Sequence, residues 1–163
     1  MWAGRLFIKK TTNTARTTMG NDIQVKKYEE FNVGDTASVT KTVTEADVIF
    51  FAGITGDFNP MHINEEFAKK TRFGKRIVHG CFSSGLISAV IGMKLPGPGA
   101  LYGGQSVRFV KPVYINDTIT AKATIVEKYT KKNGELKFLR IQTDCFNQAG
   151  EKVTEGEATV IVM

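Results

Sequence analysis

The feature that most constrains this chain is one apolar stretch, residues 80–93 (GCFSSGLISAVIGM), halted by Leu95-Pro96-Gly97-Pro98-Gly99. A helix apolar nearly all round is expected to be buried rather than to lie half-solvated on a surface. Proline and glycine then end it abruptly. After that stop the period changes. Residues 100–110, 117–129, 136–147 and 151–162 read as strands, separated in part by Lys131-Lys132-Asn133-Gly134 and Asn147-Gln148-Ala149-Gly150. Asn-Gly is a hairpin signal, so the strands are expected to form an antiparallel meander. One buried central helix wrapped by a curved antiparallel sheet is an α+β arrangement.

The first half of the chain leads into that helix. Residues 23–28 alternate weakly and are expected to form a first strand, with a helical turn or loop over 29–35 closed by Gly34-Asp35. The Thr- and Val-rich residues 36–43 predict a second strand. Thr44-Glu45-Ala46-Asp47 has the pattern of a capping box, and Val48, Phe51, Ala52 and Thr55 follow at helical spacing. Asn64-Glu65-Glu66 opens another short helix, with Lys69 and Lys70 in its last turn, where the helix dipole favours cations.

Between these helices lies Thr55-Gly56-Asp57-Phe58-Asn59-Pro60-Met61-His62. Pro60 fixes its own φ and biases Asn59 away from the helical region. The segment is therefore a rigid loop that can turn Asp57 and His62 toward one point. Ile77-Val78-His79-Gly80 brings a glycine to the start of the apolar helix, where unpaired N–H groups favour a ligand oxygen. An acid–base pair beside such a donor is the outline of proton chemistry next to a carbonyl. Taken singly, Asp57 reads as a turn residue and His62 as a structural histidine; their shared motif favours chemistry. Asn59 is expected to form a turn through a side-chain bond to backbone, and His79 to fix the helix entry through a ring hydrogen bond.

Charge narrows the function classes. The formal net charge is +6, from 22 Lys and Arg against 16 Asp and Glu. Arg5, Lys9, Lys10 and Arg16 all fall in residues 1–18, which hold no acid, so the remainder carries 18 basic and 16 acidic side chains. That body suits a small anionic ligand better than nucleic acid, which requires clustered cations and aromatic platforms. Residues 1–18 form a basic, Thr-rich extension, either a transit segment or a stretch outside the core, with residues 19–163 as a single domain. The corresponding locations are cytoplasmic or, with a transit segment, the mitochondrial matrix. No apolar run approaches the ~18 residues of a membrane span. Cys81 and Cys145 match no zinc spacing and read as reduced thiols, with Cys81 expected at a buried helix start. No metal or organic cofactor is expected.

The stretches 51–62 and 77–80, with Leu95-Pro96-Gly97-Pro98-Gly99 and 102–109 (YGGQSVRF), closely resemble the MaoC-like, R-specific enoyl-CoA hydratases. The resemblance runs from about Ile23 to the C-terminus. It implies a hot-dog fold, a homodimer, and an acyl-thioester lying along the central helix near the subunit interface. It implies that Asp57 and His62 are the catalytic pair, that the Gly80 N–H holds the thioester oxygen, and that Ser88 helps orient the pair. The implied reaction is reversible addition of water to a trans-2-enoyl thioester, giving the (R)-3-hydroxyacyl product. Two carriers stay open, coenzyme A and acyl carrier protein, with short-chain acyl-CoA the expected substrate.

Other readings compete with these. A thioester-binding module without hydration uses the same fold, since a fold can carry unrelated functions. A hot-dog thioesterase needs a carboxylate placed for attack at C1, and the sequence offers none. The loop from Arg72 to Arg76 reads either as a phosphate contact or as an ordinary solvated loop. Gln105 and Ser106 read as groups that satisfy sheet or interface backbone. Phe82, Leu86, Ile87 and Met93 are candidates for an acyl pocket, though most of them are expected in the core.

Overall fold

The computed structural model describes residues 23–162. The extension expected over residues 1–18 lies outside the described residues. Residues 23–27 take no regular structure, in contrast to the strand their alternation predicts. Ile23 and Val25 find no face to bury against and remain 69% and 54% exposed. A short 3₁₀ turn, Tyr28–Glu30, follows and brings Phe31 into the core.

Five strands form one antiparallel sheet: β1 (Thr36–Thr42), β2 (Ala100–Phe109), β3 (Thr118–Lys131), β4 (Leu136–Phe146) and β5 (Lys152–Val162). Their order across the sheet is β1-β3-β4-β5-β2. The meander read from the sequence holds for β3, β4 and β5. β2 departs from it: it pairs with β5 at the far edge and not with its successor β3. The reason is the connection after Phe109. Its eight residues carry Pro112 and the left-handed Asn116, and they cross back to the opposite side of the sheet. The Asn133-Gly134 signal does close a hairpin, with Lys131 opposite Leu136 and Lys132, Asn133 and Gly134 all at positive φ.

The threonines of β1 have a local explanation. Thr40 and Thr42 lie opposite Thr120 and Thr118, with hydroxyl pairs at 2.9 and 2.8 Å. Such cross-strand pairs stabilise an outer sheet face where no core packing is available. The inner face is apolar at every second residue: Ile119, Ala121, Ala123 and Ile125 on β3, Leu139 and Ile141 on β4. That period of two is what a one-sided sheet requires.

The 14-residue helix α4 (Gly80–Met93) lies on this inner face; the other helices, α1 (Glu45–Thr55), α2 (Pro60–Ile63) and α3 (Glu65–Ala68), precede it. Leu86, Ile87, Val90 and Ile91 form its buried side, at the spacing of one helix face. A curved sheet around one long helix is the hot-dog arrangement. The opposite side of α4 carries Cys81, Gly85, Ser88 and Gly92 and is open. Cys81 is thus exposed, in contrast to the buried position expected of it, because residue 81 falls on the face turned from the sheet. Cys145 is buried on β4, and burial together with the neighbouring Asp144 charge pushes its thiol up to about 12. Both are free cysteines. Met93, at the far end of α4, is 72% exposed and lines no pocket with the reacting groups.

One arginine clasps the helices that carry the site. Arg76 donates two hydrogen bonds to Glu45 of α1, at 2.8 and 2.6 Å, and a third to Glu65 of α3 at 3.2 Å. The loop holding Arg76 is therefore not simply solvated. The bond from Arg76 holds the Glu45 carboxyl below the usual carboxylate range. A carboxylate lowered on folding contributes stability above its unfolded pKa, and that contribution is lost as pH falls through the folded value. Arg76→Gln is expected to cost about 1 kcal/mol, the scale of a part-exposed charge network. The melting midpoint at pH 7 should drop by about 2–4 °C. The gap from wild type should narrow in acid, once Glu45 is protonated in both proteins. A gap that persists unchanged at pH 3 would show that the arginine acts through packing alone.

Candidate active site

The capping box read at Thr44 forms as expected. The Thr44 hydroxyl accepts from the Asp47 N–H, and the Asp47 carboxylate accepts from the Thr44 N–H. α1 then ends at Gly56, whose φ of 77° is a left-handed value that glycine takes without a Cβ penalty. This turn throws the chain off the helix axis and presents Asp57. Asn59 caps α2: its side chain accepts from the Met61 N–H at 3.1 Å, and Pro60 occupies the first helical position. The Asn59 N–H meanwhile donates to Oδ1 of Asp57 at 3.2 Å. Asn59 is the turn former the sequence predicts, and through its main chain it also orients the carboxylate.

His62 is 9% exposed and held from behind. Its Nδ1 lies 2.7 Å from the carbonyl oxygen of Ile77. A carbonyl only accepts, so in the neutral ring the proton sits on Nδ1 and Nε2 keeps its lone pair. Ile77 is itself fixed, because its N–H donates to Met61 and it bridges to Tyr114. The imidazole is thus set by one main-chain hydrogen bond, to a carbonyl whose residue is itself held, and its Nε2 keeps its lone pair.

Asp57 differs in exposure, with 51% of its side chain open to solvent. A carboxylate oxygen of Asp57 and one nitrogen each of His62 and His79 all lie within 4.8 Å of one another. One water can hydrogen-bond to two groups at that separation, at about 2.8 Å from each. Three such donors also resemble a cation site. His79 argues against that use, because its Nε2 points at the Asp57 carbonyl oxygen at 2.9 Å. A nitrogen that carries a proton toward a carbonyl is not a ligand, so the cluster reads as acid–base groups.

A cavity of about 300 Å³ adjoins His62, while Asp57 is not among its lining residues. His62, Gly80 and Ser83 line it together with Phe73, Phe109 and Val113. Gly80 is the first residue of α4, and the residue before it caps no N–H with its side chain. The helix therefore presents first-turn donors at the cavity wall. A Cβ at position 80 would fall 2.9 Å from the Phe109 ring, so only glycine lets ring and helix start approach this closely.

The structure brings together Asp57, His62, Asn59, His79 and Gly80. It does not bring Ser88 to them: that residue lies on the open face of α4 and is absent from the cavity wall. The helix serine in the cavity is Ser83, three residues after Gly80, buried and on the same side of the helix. That i+3 spacing was the available signal for it. The cavity is walled by Phe73, Val78, Phe109 and Val113, whereas Phe82, Leu86, Ile87 and Met93 lie elsewhere. Of the basic loop, Arg72 lines the cavity, Lys75 stacks over Tyr114, and Arg76 is committed to its glutamates. Gln105 fills the sheet role expected of it, donating to the Ser106 carbonyl and to the Thr143 hydroxyl.

Residues 31–144 match the family model described as MaoC like domain. The chain belongs to the MaoC-like domain family. Among relatives of this MaoC-like protein, the (R)-specific enoyl-CoA hydratase of Rhodospirillum rubrum is 46% identical over 142 residues, covering 87% of this chain and 95% of that one. The 3-hydroxybutyryl-CoA dehydratase of Methylorubrum extorquens is 41% identical over 142 residues, covering 86% and 87%. A solved structure, the unliganded R-hydratase PhaJ1 from Pseudomonas aeruginosa, superposes on the MaoC-like fold with a TM-score of 0.76 at 41% identity, covering 83% of this chain and 84% of that one. No helix among the described residues is long and apolar enough to cross a membrane.

Proposed function

We propose that this protein is an (R)-specific enoyl-CoA hydratase, a hydro-lyase adding water reversibly to a trans-2-enoyl thioester. The observation that carries the reading is the convergence of Asp57 on His62, which shares the wall of one cavity with the glycine that begins α4. The likeness to relatives named for this reaction supports it.

The chemistry follows from the donors and acceptors. Water held between Asp57 and Nε2 of His62 has both protons engaged and a lone pair free for C3. As the O–C3 bond forms, the double bond opens toward C2 and negative charge moves to the thioester oxygen. The Gly80 N–H receives that charge, a donor worth on the order of 10²–10³ in turnover. The water proton passes to Asp57, which delivers it to C2, so that one water is added in full and the carboxylate is regenerated with the 3-hydroxyacyl product. Asp57 is the main proton-transfer group in this reading, and His62 orients and polarises the water. Coenzyme A is the carrier and the acyl group is short, the chain length in the name of the Methylorubrum relative.

The working unit is a homodimer. The open, small-residue face of α4 and the unpaired edge of β2 are surfaces a second copy would cover, and Ser88 on that face would then join the site from the interface. The test is the absorbance of crotonyl-CoA with purified protein. Loss of the enoyl signal with (R)-3-hydroxybutyryl-CoA as product supports hydration. Measurable binding with no loss of signal would instead favour a binding module.

A further inference from the structure

We propose that His79 is a positioning residue that holds Asp57 and His62 in one fixed relation. The inference rests on the hydratase reading and deepens it. His79 is 2% exposed, the more buried of the two histidines. Its ring makes tilted contacts with Phe51, at 4.9 Å between centroids, and with His62, at 3.9 Å. Its Nε2 donates to the main-chain carbonyl of Asp57 at 2.9 Å. The same nitrogen lies 4.0 Å from the Asp57 carboxylate. One side chain thus touches both members of the pair, by a hydrogen bond to one and a tilted ring contact, 34° between planes, with the other.

The other ring nitrogen sharpens the argument. Nδ1 of His79 is buried and has no hydrogen-bond partner among the described residues. A structural histidine in a core normally satisfies both nitrogens, since an unpaired buried polar atom costs about 1–3 kcal/mol. Here one nitrogen is left unsatisfied while the other is spent on the carbonyl of the reacting aspartate. Asp57 lies on a half-exposed loop between α1 and α2. Its carboxylate is oriented locally by Asn59, and the Asp57 main chain is tied to the start of α4 by His79. Because His79 immediately precedes Gly80, the same residue sets the distance from acid to oxyanion donor.

The test compares two variants. His79→Phe keeps a flat ring between Phe51 and His62 and removes the N–H. His79→Gln retains an amide N–H near the place of Nε2. In crotonyl-CoA hydration, H79F should lose about 10- to 100-fold in kcat, as a misplaced reacting group does, with KM within about threefold of wild type. H79Q should recover much of that loss. A merely structural histidine predicts the reverse: H79F, the apolar filler, would match wild type in kcat and in melting midpoint, and that result overturns the proposal. Long-range ¹H–¹⁵N spectra of the histidine rings give a readout independent of activity. They should show the proton of His79 on Nε2, and a proton on Nδ1 would overturn the anchor directly. An inactive wild type with the Nε2–H tautomer in place would sink the hydratase reading while leaving the anchor standing.

Discussion

Asp57→Asn and His62→Asn should each lower kcat for crotonyl-CoA by about 10³-fold, within the 10²–10⁴ range of a lost acid–base group. Both changes preserve the local hydrogen bonds. An asparagine at 57 still offers Oδ1 to the Asn59 N–H, the bond that shapes the loop. An asparagine at 62 places an amide donor near the former Nδ1, facing the Ile77 carbonyl, and removes only the basic nitrogen. The melting midpoint should therefore move little in either case. Two groups that bind one water act as a unit, so the double variant should be hardly worse than either single one. Independent contributions would multiply instead, and a double variant 10⁶-fold slower would dismiss the shared-water arrangement. Activity near wild type in either single variant would dismiss the site.

Gly80→Ala should cost about 10²–10³ in kcat with a folded protein. Gly80 is not at positive φ, so alanine fits the backbone, and the conflict lies in space. The new Cβ would sit 2.9 Å from Cδ2 and Cε2 of Phe109. That ring is 48% exposed and can swing aside, which protects the fold but carries the ring into the cavity both residues line. Phe109→Ala separates the two demands on Gly80. If the glycine is needed for close approach of the thioester oxygen, G80A/F109A should stay at least about tenfold below F109A. Should the double variant return to the F109A level, the glycine is there for the ring and the oxyanion assignment falls.

Local determinants were the legible ones. The capping box at Thr44 is set by neighbouring residues and forms where its sequence signal predicts. The segment read as a rigid loop over 55–62 is loop only over 56–59, because Asn59 and Pro60 together start the short helix that carries His62. Asp57 and His62 could be paired from sequence because only four residues separate them and a proline stiffens the path. The helix over 80–93 was legible in its limits, since its stop is chemical. Its open face was not. Cys81, Gly85, Ser88 and Gly92 are compatible with burial, and what decides is which side the sheet takes. The partner of β2 was hidden for a similar reason: alternation marks a strand but not its neighbour, and the crossing after Phe109 depends on the whole sheet. Ser83 was missed because, its i+3 spacing from Gly80 aside, a small polar residue in an apolar helix looks the same whether it faces a cavity or packs against a strand.

A ring hydrogen bond from His79 was expected from sequence, but the partners that orient the rings of His62 and His79 were not. The groups that set them are carbonyl oxygens of Ile77 and Asp57, and every residue has one. Ile77 meets the site in two ways. Its oxygen accepts from Nδ1 of His62, the imidazole proposed to act on water, while the residue also lines the cavity. A substitution there can reshape the space offered to an acyl group without disturbing the atom that prepares the base. Under the proposed hydration, the room for an acyl group and the setting of the imidazole thus rest on two separable halves of one residue.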